Sequence, residues 1–272
     1  MSLEGVSRTA LMTLRARADE HQKRRHLFAD PDAVAWMAQL GWPKELDRHY
    51  SWWVQGKTAV RVDHIDELVR VCREGFDSDT VVELACGLSS RRQRIGNPGL
   101  WIDLDLPEVI SVRERLGIAG EGHRHLAASV MDFGWMDALA GRNPEKTIVI
   151  AEGLFYYLPL RDVFQLFEEM RRRLPGAAII YDVIGEVDFE SARKFSDGLG
   201  APIHWANRSP FEQGMVDFGV ATIPGLEPDN VVADSVKRAP QPWRFLLQRA
   251  LKIDNLRERR SGIIVGWLAP QR

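Results

Sequence analysis

The chain has 272 residues, of which 45% are apolar and 27% charged, and its formal net charge is −2. This composition is ordinary for a globular protein, and without a basic excess it argues against nucleic acid or an anionic membrane as partner. The two cysteines, Cys72 and Cys86, form no C-x-x-C motif. No apolar run approaches the roughly 20 residues of a membrane span, and the first residues lack the apolar segment of a secretion signal. We therefore expect a reduced, cytoplasmic protein with no membrane segment.

Helical patterns dominate the first part of the chain. Residues 3–28 predict an amphipathic helix, and a second helix begins at Pro31. The next stretch, from Gly41 to Gly56, is rich in aromatic residues and has no clear period. A third helix follows it and ends near Gly75. We expect these elements to form a helical cap, residues 1–75, on a core of residues 76–272, the two making one structural domain.

In the core, short apolar runs alternate with amphipathic stretches. Runs that are apolar throughout suit strands buried on both faces of a parallel sheet, so the alternation predicts an open α/β sheet of the Rossmann type. The predicted strands are 80–84, 100–104, 125–128, 147–151 and 177–183, and the predicted helices are 107–116, 135–140 and 160–174. The tail adds strands at 219–223 and 262–268, the latter as an antiparallel edge strand, with a helix-like segment at 243–251 between them.

A candidate cofactor loop follows the first strand. The strand carries an acid near its end, Glu83, and the chain then turns at Gly87, with the small Ala85 between them. Ligands of open α/β sheets bind at the carboxyl ends of the strands, and a glycine-rich turn there lets backbone N–H groups face an anion. Buried strand–turn–helix units without a ligand also end in this way, so the loop alone leaves both interpretations open.

The second strand also ends in acids. A carboxylate at that tip can accept both hydroxyls of a ribose, and we favour Asp105 over Asp103 for this role. Capping of the helix that opens at Pro107 is the alternative role for Asp105. The loop lacks the full G-x-G-x-x-G pattern, which disfavours a dinucleotide.

Four motifs occur in order: Glu83–Arg91, Asp103–Val109, Ser129–Trp135 and Glu152–Leu158. Together they resemble the leucine carboxyl methyltransferase family. Residues 5–18 resemble its bacterial branch, which includes the tetracenomycin polyketide O-methyltransferases. The resemblance extends from about residue 4 to residue 183 and, more faintly, to the end. It implies a class I methyltransferase fold and S-adenosyl-L-methionine (SAM) as the cofactor.

The resemblance also assigns cofactor contacts. Arg17 and Arg61 match family cations that reach the SAM carboxylate, and Asp132 is a less favoured substitute for the adenine-contacting acid. Two departures from the family pattern are Ala85 in place of a glycine and Ser129 in place of that acid, and either could weaken binding. The complete expected set is Arg17, Arg61, Glu83, Ala85, Gly87, Asp105, Ser129, Val130, Asp132 and Glu152.

The expected methyl acceptor is a small molecule, such as a polyketide-type aromatic. A carboxylate is ionised at neutral pH and needs no general base, whereas a phenol would benefit from one. The sequence shows no dedicated His–Asp pair and no metal-ligand set, which favours a carboxylate or an acidic phenol and predicts no metal. Candidates on the acceptor side are Tyr157, His204 and Trp52, beneath a lid at about residues 186–218.

Three other functions stay open at this stage. The departures at Ala85 and Ser129 allow a protein that binds SAM without catalysis. A protein C-terminal carboxyl methyltransferase is less compatible with the N-terminal opening, and a nicotinamide dehydrogenase is more distant still. The oligomeric state is expected to be a monomer or a homodimer.

Overall fold

The computed structural model describes residues 6–96, 99–117, 120–207, 217–226, 231–241, 243–245 and 261–270. The helices are α1 (Val6–His21), α2 (Pro31–Leu40), α3 (Trp52–Phe76), α4 (Arg91–Ile95), α5 (Pro107–Arg115), α6 (Leu160–Arg173), α7 (Glu186–Gly198) and α8 (Val231–Lys237). The strands are β1 (Thr80–Leu84), β2 (Leu100–Asp105), β3 (His123–Ala127), β4 (Thr147–Ala151), β5 (Ala178–Val183), β6 (Val220–Thr222) and β7 (Gly262–Leu268). Short 3-10 helices occupy Lys44–His49, Phe133–Leu139, Pro144–Lys146 and Phe155–Tyr157.

The strands form one seven-stranded sheet in the order β3-β2-β1-β4-β5-β7-β6. Strands β1 to β5 pair in parallel, and β7 pairs antiparallel with both β5 and β6. The predicted fold class, an open and mostly parallel Rossmann-like sheet with an antiparallel edge and N-terminal helices, is confirmed. The expectation that residues 262–268 form the edge strand was wrong, because β7 lies between β5 and the short β6, and β6 forms that edge of the sheet.

The central strands are apolar throughout because helices cover both faces of the sheet. Every residue of β1, β2, β4 and β5 is buried. One face packs against α6, whose Val163, Leu166 and Met170 are buried on a single stripe. The other face packs against α3 through Ile65, Val69 and other residues. The acidic side chains of these strands, Glu83, Asp103, Asp105 and Asp182, all lie toward the carboxyl ends.

Helices α1, α2 and α3 pack on one another through Leu11, Leu14, Trp36 and their neighbours. Helix α3 begins at Trp52, within the aromatic-rich stretch that was expected to precede it. Its start is fixed by Ser51, whose hydroxyl accepts a 3.3 Å hydrogen bond from the Val54 backbone N–H. The last part of the aromatic-rich stretch is thus helical, although its sequence has no clear period.

Part of the expected lid is helical. Helix α7 fills its first half, whereas residues 208–216 and most of the helix-like segment 243–251 lie outside the described residues. Helix α8 packs on the cap, where Asp234 pairs with His64 of α3 at 3.2 Å. Across the described residues, no helix is both long enough and apolar enough to cross a membrane.

Candidate active site

A cavity of about 500 Å³ lies at the carboxyl ends of the strands. Four of its lining carboxylates come from four strand ends: Glu83 of β1, Asp105 of β2, Glu152 after β4 and Asp182 of β5. The helices α1, α3 and α7 supply much of the remaining lining. The cavity therefore lies where open α/β sheets bind their ligands.

The loop after β1 has a strained backbone. Both Ala85 (φ 49°) and Gly87 (φ 53°) adopt left-handed conformations, although an alanine rarely does so. The Gly87 N–H donates to Oδ2 of Asp105 at 2.6 Å, and the Gly87 carbonyl accepts from Arg113 at 2.9 Å. These bonds hold the loop in a tight turn against the tip of β2.

A chain of ion pairs runs beneath the cavity. The Arg91 guanidinium donates to Glu83, to Glu152 and, at 2.7 Å, to Asp66. Arg61 donates from Nε to Glu152 and from Nη1 to Asp182, each at 3.0 Å. Burial alone would raise the pKa of Glu152, but Arg61 and Arg91 outweigh it and lower the pKa to about 2. Glu152 is therefore ionised across the physiological pH range.

A second group of ion pairs joins the cap to the cofactor loop. Arg17 of α1 donates to Asp30 at 2.6 Å, to Ser90 and to the Leu88 carbonyl. Arg94 donates to the same Asp30 at 2.8 Å. Burial opposes ionisation of Asp30, yet the two arginines lower its pKa to about 2. This cluster anchors α1 over the cavity.

Arg17 and Arg61 both line the cavity, as the resemblance implies, and both are already paired with carboxylates of the protein. A guanidinium carries five N–H donors. The pairs found here use only some of them, so each arginine keeps donors for an anionic ligand. What the sequence did not show is that each arginine also stabilises buried acids.

Glu83 carries an acceptor that no described residue satisfies. Its Oε1 accepts from Arg91, whereas its buried Oε2 has no hydrogen-bond partner among the described residues. Buried polar atoms without partners are rare in proteins. Burial raises the pKa of Glu83 to about 7, helped by the nearby Asp103 and Glu152 and opposed by Arg91. An unsatisfied carboxylate oxygen at the cavity fits a cationic ligand group, such as the ammonium of SAM.

Asp103 is engaged away from the cavity lining. It accepts from the Trp101 indole at 2.9 Å, from His123 at 2.6 Å and from Arg113. With His123 and His125 it forms a group of three potential metal ligands. The Arg113 guanidinium on the same carboxylate opposes a second cation there. Of the two acids at the end of β2, Asp105 is the one that lines the cavity.

Ten of the sequence-derived site residues line this cavity: Arg17, Arg61, Glu83, Ala85, Gly87, Asp105, Ser129, Val130, Glu152 and Tyr157. Three others do not. Asp132 is exposed and caps the 3-10 helix at Phe133, accepting from the Gly134 N–H at 3.2 Å. Trp52 is 43% exposed, and His204 is exposed and uses its backbone N–H to reach the Tyr156 carbonyl. The structure thus gives no support to these three assignments.

Sequence reasoning missed other lining residues. Asp182 interrupts the apolar run of β5 near its end, as Glu83 does in β1, and that signal could have identified it. Trp53 lines the cavity in place of its neighbour Trp52. The Tyr157 hydroxyl bonds with Ser196 of α7 and Thr9 of α1, and burial raises its pKa. Tyr157 thereby connects the cap to α7 across the cavity.

Comparisons with known proteins identify relatives of the chain. The leucine carboxyl methyltransferase family model matches residues 10–171. The tetracenomycin polyketide synthesis O-methyltransferase TcmP of Streptomyces glaucescens is 30% identical over 212 residues, which is 76% of this chain and 77% of TcmP. The S-adenosyl-L-methionine-dependent methyltransferase dpfgK of Gibberella zeae is 26% identical over 215 residues, 72% of this chain and 69% of dpfgK.

Solved structures share the fold at low identity. A DUF574 family protein from Streptomyces avermitilis superposes with a TM-score of 0.60 at 10% identity, covering 96% of this chain and 97% of the other. A proposed methyltransferase from Thermobifida fusca superposes with a TM-score of 0.54 at 14% identity, covering 93% of each chain.

The sheet order, the acid-lined cavity at the strand ends and these relatives define a SAM-dependent methyltransferase. More specifically, the chain belongs to the leucine carboxyl methyltransferase family.

Proposed function

We propose that this protein is an O-methyltransferase acting on a carboxylate, or an acidic phenol, of a small aromatic molecule. One observation carries the choice of acceptor: none of the described residues that line the cavity is a histidine. A carboxylate with a pKa near 4 is already a nucleophile at neutral pH, whereas a phenol with a pKa near 10 would need a base. The 30% identity with a polyketide synthesis O-methyltransferase supports methyl transfer to an oxygen of a polyketide-type molecule.

In this proposal the strand ends hold the cofactor. Asp105 accepts the ribose hydroxyls, Ala85 and Gly87 pack on the methionine portion, and Ser129 and Val130 lie at the adenine edge. All five line the cavity. Asp105 keeps its carboxylate oriented by hydrogen bonds from the Gly87 and Leu106 backbone N–H groups, at 2.6 and 2.7 Å. Each carboxylate oxygen has two lone pairs, so both remain able to accept from a ribose.

The charged groups complete the cofactor site. Glu83 Oε2 would accept from the cofactor ammonium, and Arg17 and Arg61 would donate to its carboxylate. Glu152, ionised and held by Arg61 and Arg91, lines the same side of the cavity. Bound SAM supplies the methyl group, which is electrophilic because it is attached to a sulfonium.

The remaining lining aligns the acceptor and excludes water. Trp53, Tyr157 and Phe195 offer three aromatic side chains from three separate elements. Alignment of two reactants in a dry cavity is the main contribution a protein can make to such a displacement. The phenol alternative has one supporting observation: burial raises the pKa of the lining carboxylate Asp182, which makes it a stronger base.

Calorimetric titration with SAM and with its demethylated product, S-adenosylhomocysteine (SAH), tests the cofactor half of the proposal. Transfer of labelled methyl from SAM to a panel of aromatic polyketide acids tests the acceptor half. Mild alkali then identifies the bond, because methyl esters release the label as methanol and aryl ethers retain it. We expect alkali-labile product. Binding of SAM with no transfer to any acid would instead favour a non-catalytic SAM-binding protein.

A further inference from the structure

Helix α3 lines the cavity with one stripe of side chains. Arg61 lies at the strand ends, where it pairs with Glu152 and Asp182. Lys57 and Trp53 also line the cavity, four and eight residues toward the N-terminus. At 1.5 Å per residue, Lys57 lies about 6 Å and Trp53 about 12 Å from Arg61 along the helix axis. The stripe therefore leads from the strand ends to a second section of the same cavity, here called the outer section, which Trp53 and Lys57 line.

The two sections differ in charge. The four carboxylates among the described lining residues lie at strand ends, where Arg61 and Arg91 pair with three of them. Arg17 and Arg94 also line the cavity and pair with Asp30. Among the described lining residues, Lys57 is charged and lies one turn before Arg61 on α3. The helices α1, α3 and α7 and the 3-10 helix at Phe155–Tyr157 also add neutral polar residues to the lining: Thr9, Thr13, Thr58, Tyr157, Ser191 and Ser196. The strand ends thus carry charges of both signs, as a zwitterionic ligand group needs, whereas Lys57 suits an anionic ligand.

The outer section also has aromatic and aliphatic walls. Trp53 makes an edge-to-face contact with Trp52, with ring centroids 5.7 Å apart, and Phe195 makes a similar contact with His49 at 6.4 Å. Val54 and Leu158 add aliphatic surface. Aromatic rings held in this way suit a flat apolar body. The ligand that fits both features is an aromatic acid.

We propose that Lys57 is a specificity-determining residue, which binds the carboxylate of an aromatic acid in the outer section. This inference rests on the proposed function and deepens it, because it names the group that recognises the acceptor. A methyl ester has no charge, so Lys57 would bind the acid in preference to the methylated product. The same lysine then favours both substrate binding and product release.

The test uses 1-naphthoate and its neutral isostere 1-naphthamide as probes, titrated into the SAH complex of the full chain. Four proteins are compared: the wild type, Lys57→Met, Lys57→Arg and the control Lys194→Met, an exposed lysine of α7. We expect the wild type to bind the acid about tenfold more tightly than the amide, as a charge-assisted hydrogen bond predicts. Lys57→Met should lose this preference, while Lys57→Arg and Lys194→Met should keep it.

Three results would overturn the inference: equal affinity of the wild type for acid and amide, a preference that survives Lys57→Met, or no binding of either probe. SAH titration of the same four proteins reports on the cofactor site and should give one affinity. The probe series is repeated without SAH, so that a failure of cofactor binding, which would contradict the proposed function, is distinguished from a failure at Lys57.

Discussion

The Gly87 backbone N–H donates a 2.6 Å hydrogen bond to the Asp105 carboxylate and so joins the turn after β1 to the acid that ends β2. The second oxygen of Asp105 accepts from the Leu106 N–H at 2.7 Å. Asp105 therefore shapes the loop and faces the cavity at once. The capping role considered for Asp105 is wrong, because α5 begins after Leu106 and has no side-chain cap, so the ribose role is the one that this geometry leaves.

Asp105→Ala should weaken SAM binding at least about tenfold, since the loss of two ribose contacts costs more than 1.4 kcal/mol. Calorimetric titration of the folded variant gives the affinity. Asp132→Ala is the control, because Asp132 is exposed and does not line the cavity, and its SAM affinity should equal that of the wild type. Unchanged affinity in Asp105→Ala would remove this residue from the ribose site.

Arg17→Ala should lower the free energy of unfolding by about 3 kcal/mol, because it leaves the buried Asp30 short of a counter-ion. Adding Asp30→Asn should recover part of this loss, and urea denaturation of both variants measures it. Arg193→Ala removes only exposed ion pairs on α7, which solvent screens, and should leave the stability close to that of the wild type. Simple additivity of Arg17→Ala and Asp30→Asn would show that the two residues are not coupled.

Ala85→Gly should raise the free energy of unfolding by about 1 kcal/mol. The left-handed backbone at Ala85 costs an alanine more than glycine loses in chain entropy. In the matched substitution Ala192→Gly, within helix α7, the same change should be destabilising by a similar amount. Thermal and urea unfolding of the two variants measure the effect, and destabilisation by Ala85→Gly would show that the methyl group contributes more through packing than it costs in strain.

The raised pKa of Glu83 predicts pH-dependent behaviour of the cofactor-free protein. Because the folded-state pKa of about 7 exceeds the ordinary 4.5, this group contributes stability that is complete below pH 4.5 and is lost as the pH rises through 7. Its charged neighbours are Arg91, Arg113, Asp103 and Glu152. Between pH 5 and 8, the stability of Glu83→Gln relative to the wild type should therefore increase.

The stability that Glu83 contributes falls as the pH rises, but the affinity of the wild type for SAM should increase. If Glu83 accepts from the SAM ammonium, it must lose its proton on binding, so wild-type affinity should rise from pH 6 to pH 8. Glu83→Gln should bind SAM with little dependence on pH and more weakly at pH 8. Calorimetric titration in buffers of different ionisation enthalpy also counts the released protons. Parallel pH profiles in the two proteins would exclude this role for Glu83.

The adjacent tryptophans provide a matched pair of variants. Trp53→Ala should weaken 1-naphthoate binding, since Trp53 lines the cavity, while Trp52→Ala should change it much less. SAH affinity should be retained in both, which separates the acceptor side from the cofactor side. Equal losses in both variants would mean that the pair supports the cap rather than the acceptor.

The strands of the core and the acids at their carboxyl ends could be predicted from the sequence. Buried parallel strands must be apolar, so an acid near the end of such a run, as at Glu83 or Asp105, indicates a site. The helix α6 was predicted to within one residue because its apolar stripe is regular. The start of α3 was not, because Trp52 and Trp53 follow no clear period and the helix depends there on the Ser51 cap.

The contacts of individual side chains could not be predicted from the sequence, for a different reason. Successive helical residues point about 100° apart, so the chain alone cannot tell which of Trp52 and Trp53 faces the cavity. Arg17 was identified as a site residue, yet its contacts with Asp30 and Ser90 span 13 and 73 residues. Such distant pairs are set by the packing of α1 on the loop, and local patterns carry no information about them.

The position of β7 determines when the sheet can be completed as the chain folds during synthesis. Strand β7 lies between β5 and β6, so the free edge of β5 stays uncovered until residues 262–268 have left the ribosome. A nascent chain that already holds β1 to β5 would expose a row of unpaired N–H and carbonyl groups, which is a template for wrong pairing between chains. Completion of the sheet is therefore a late event, and a shortened chain without β7 should aggregate rather than fold into a smaller enzyme.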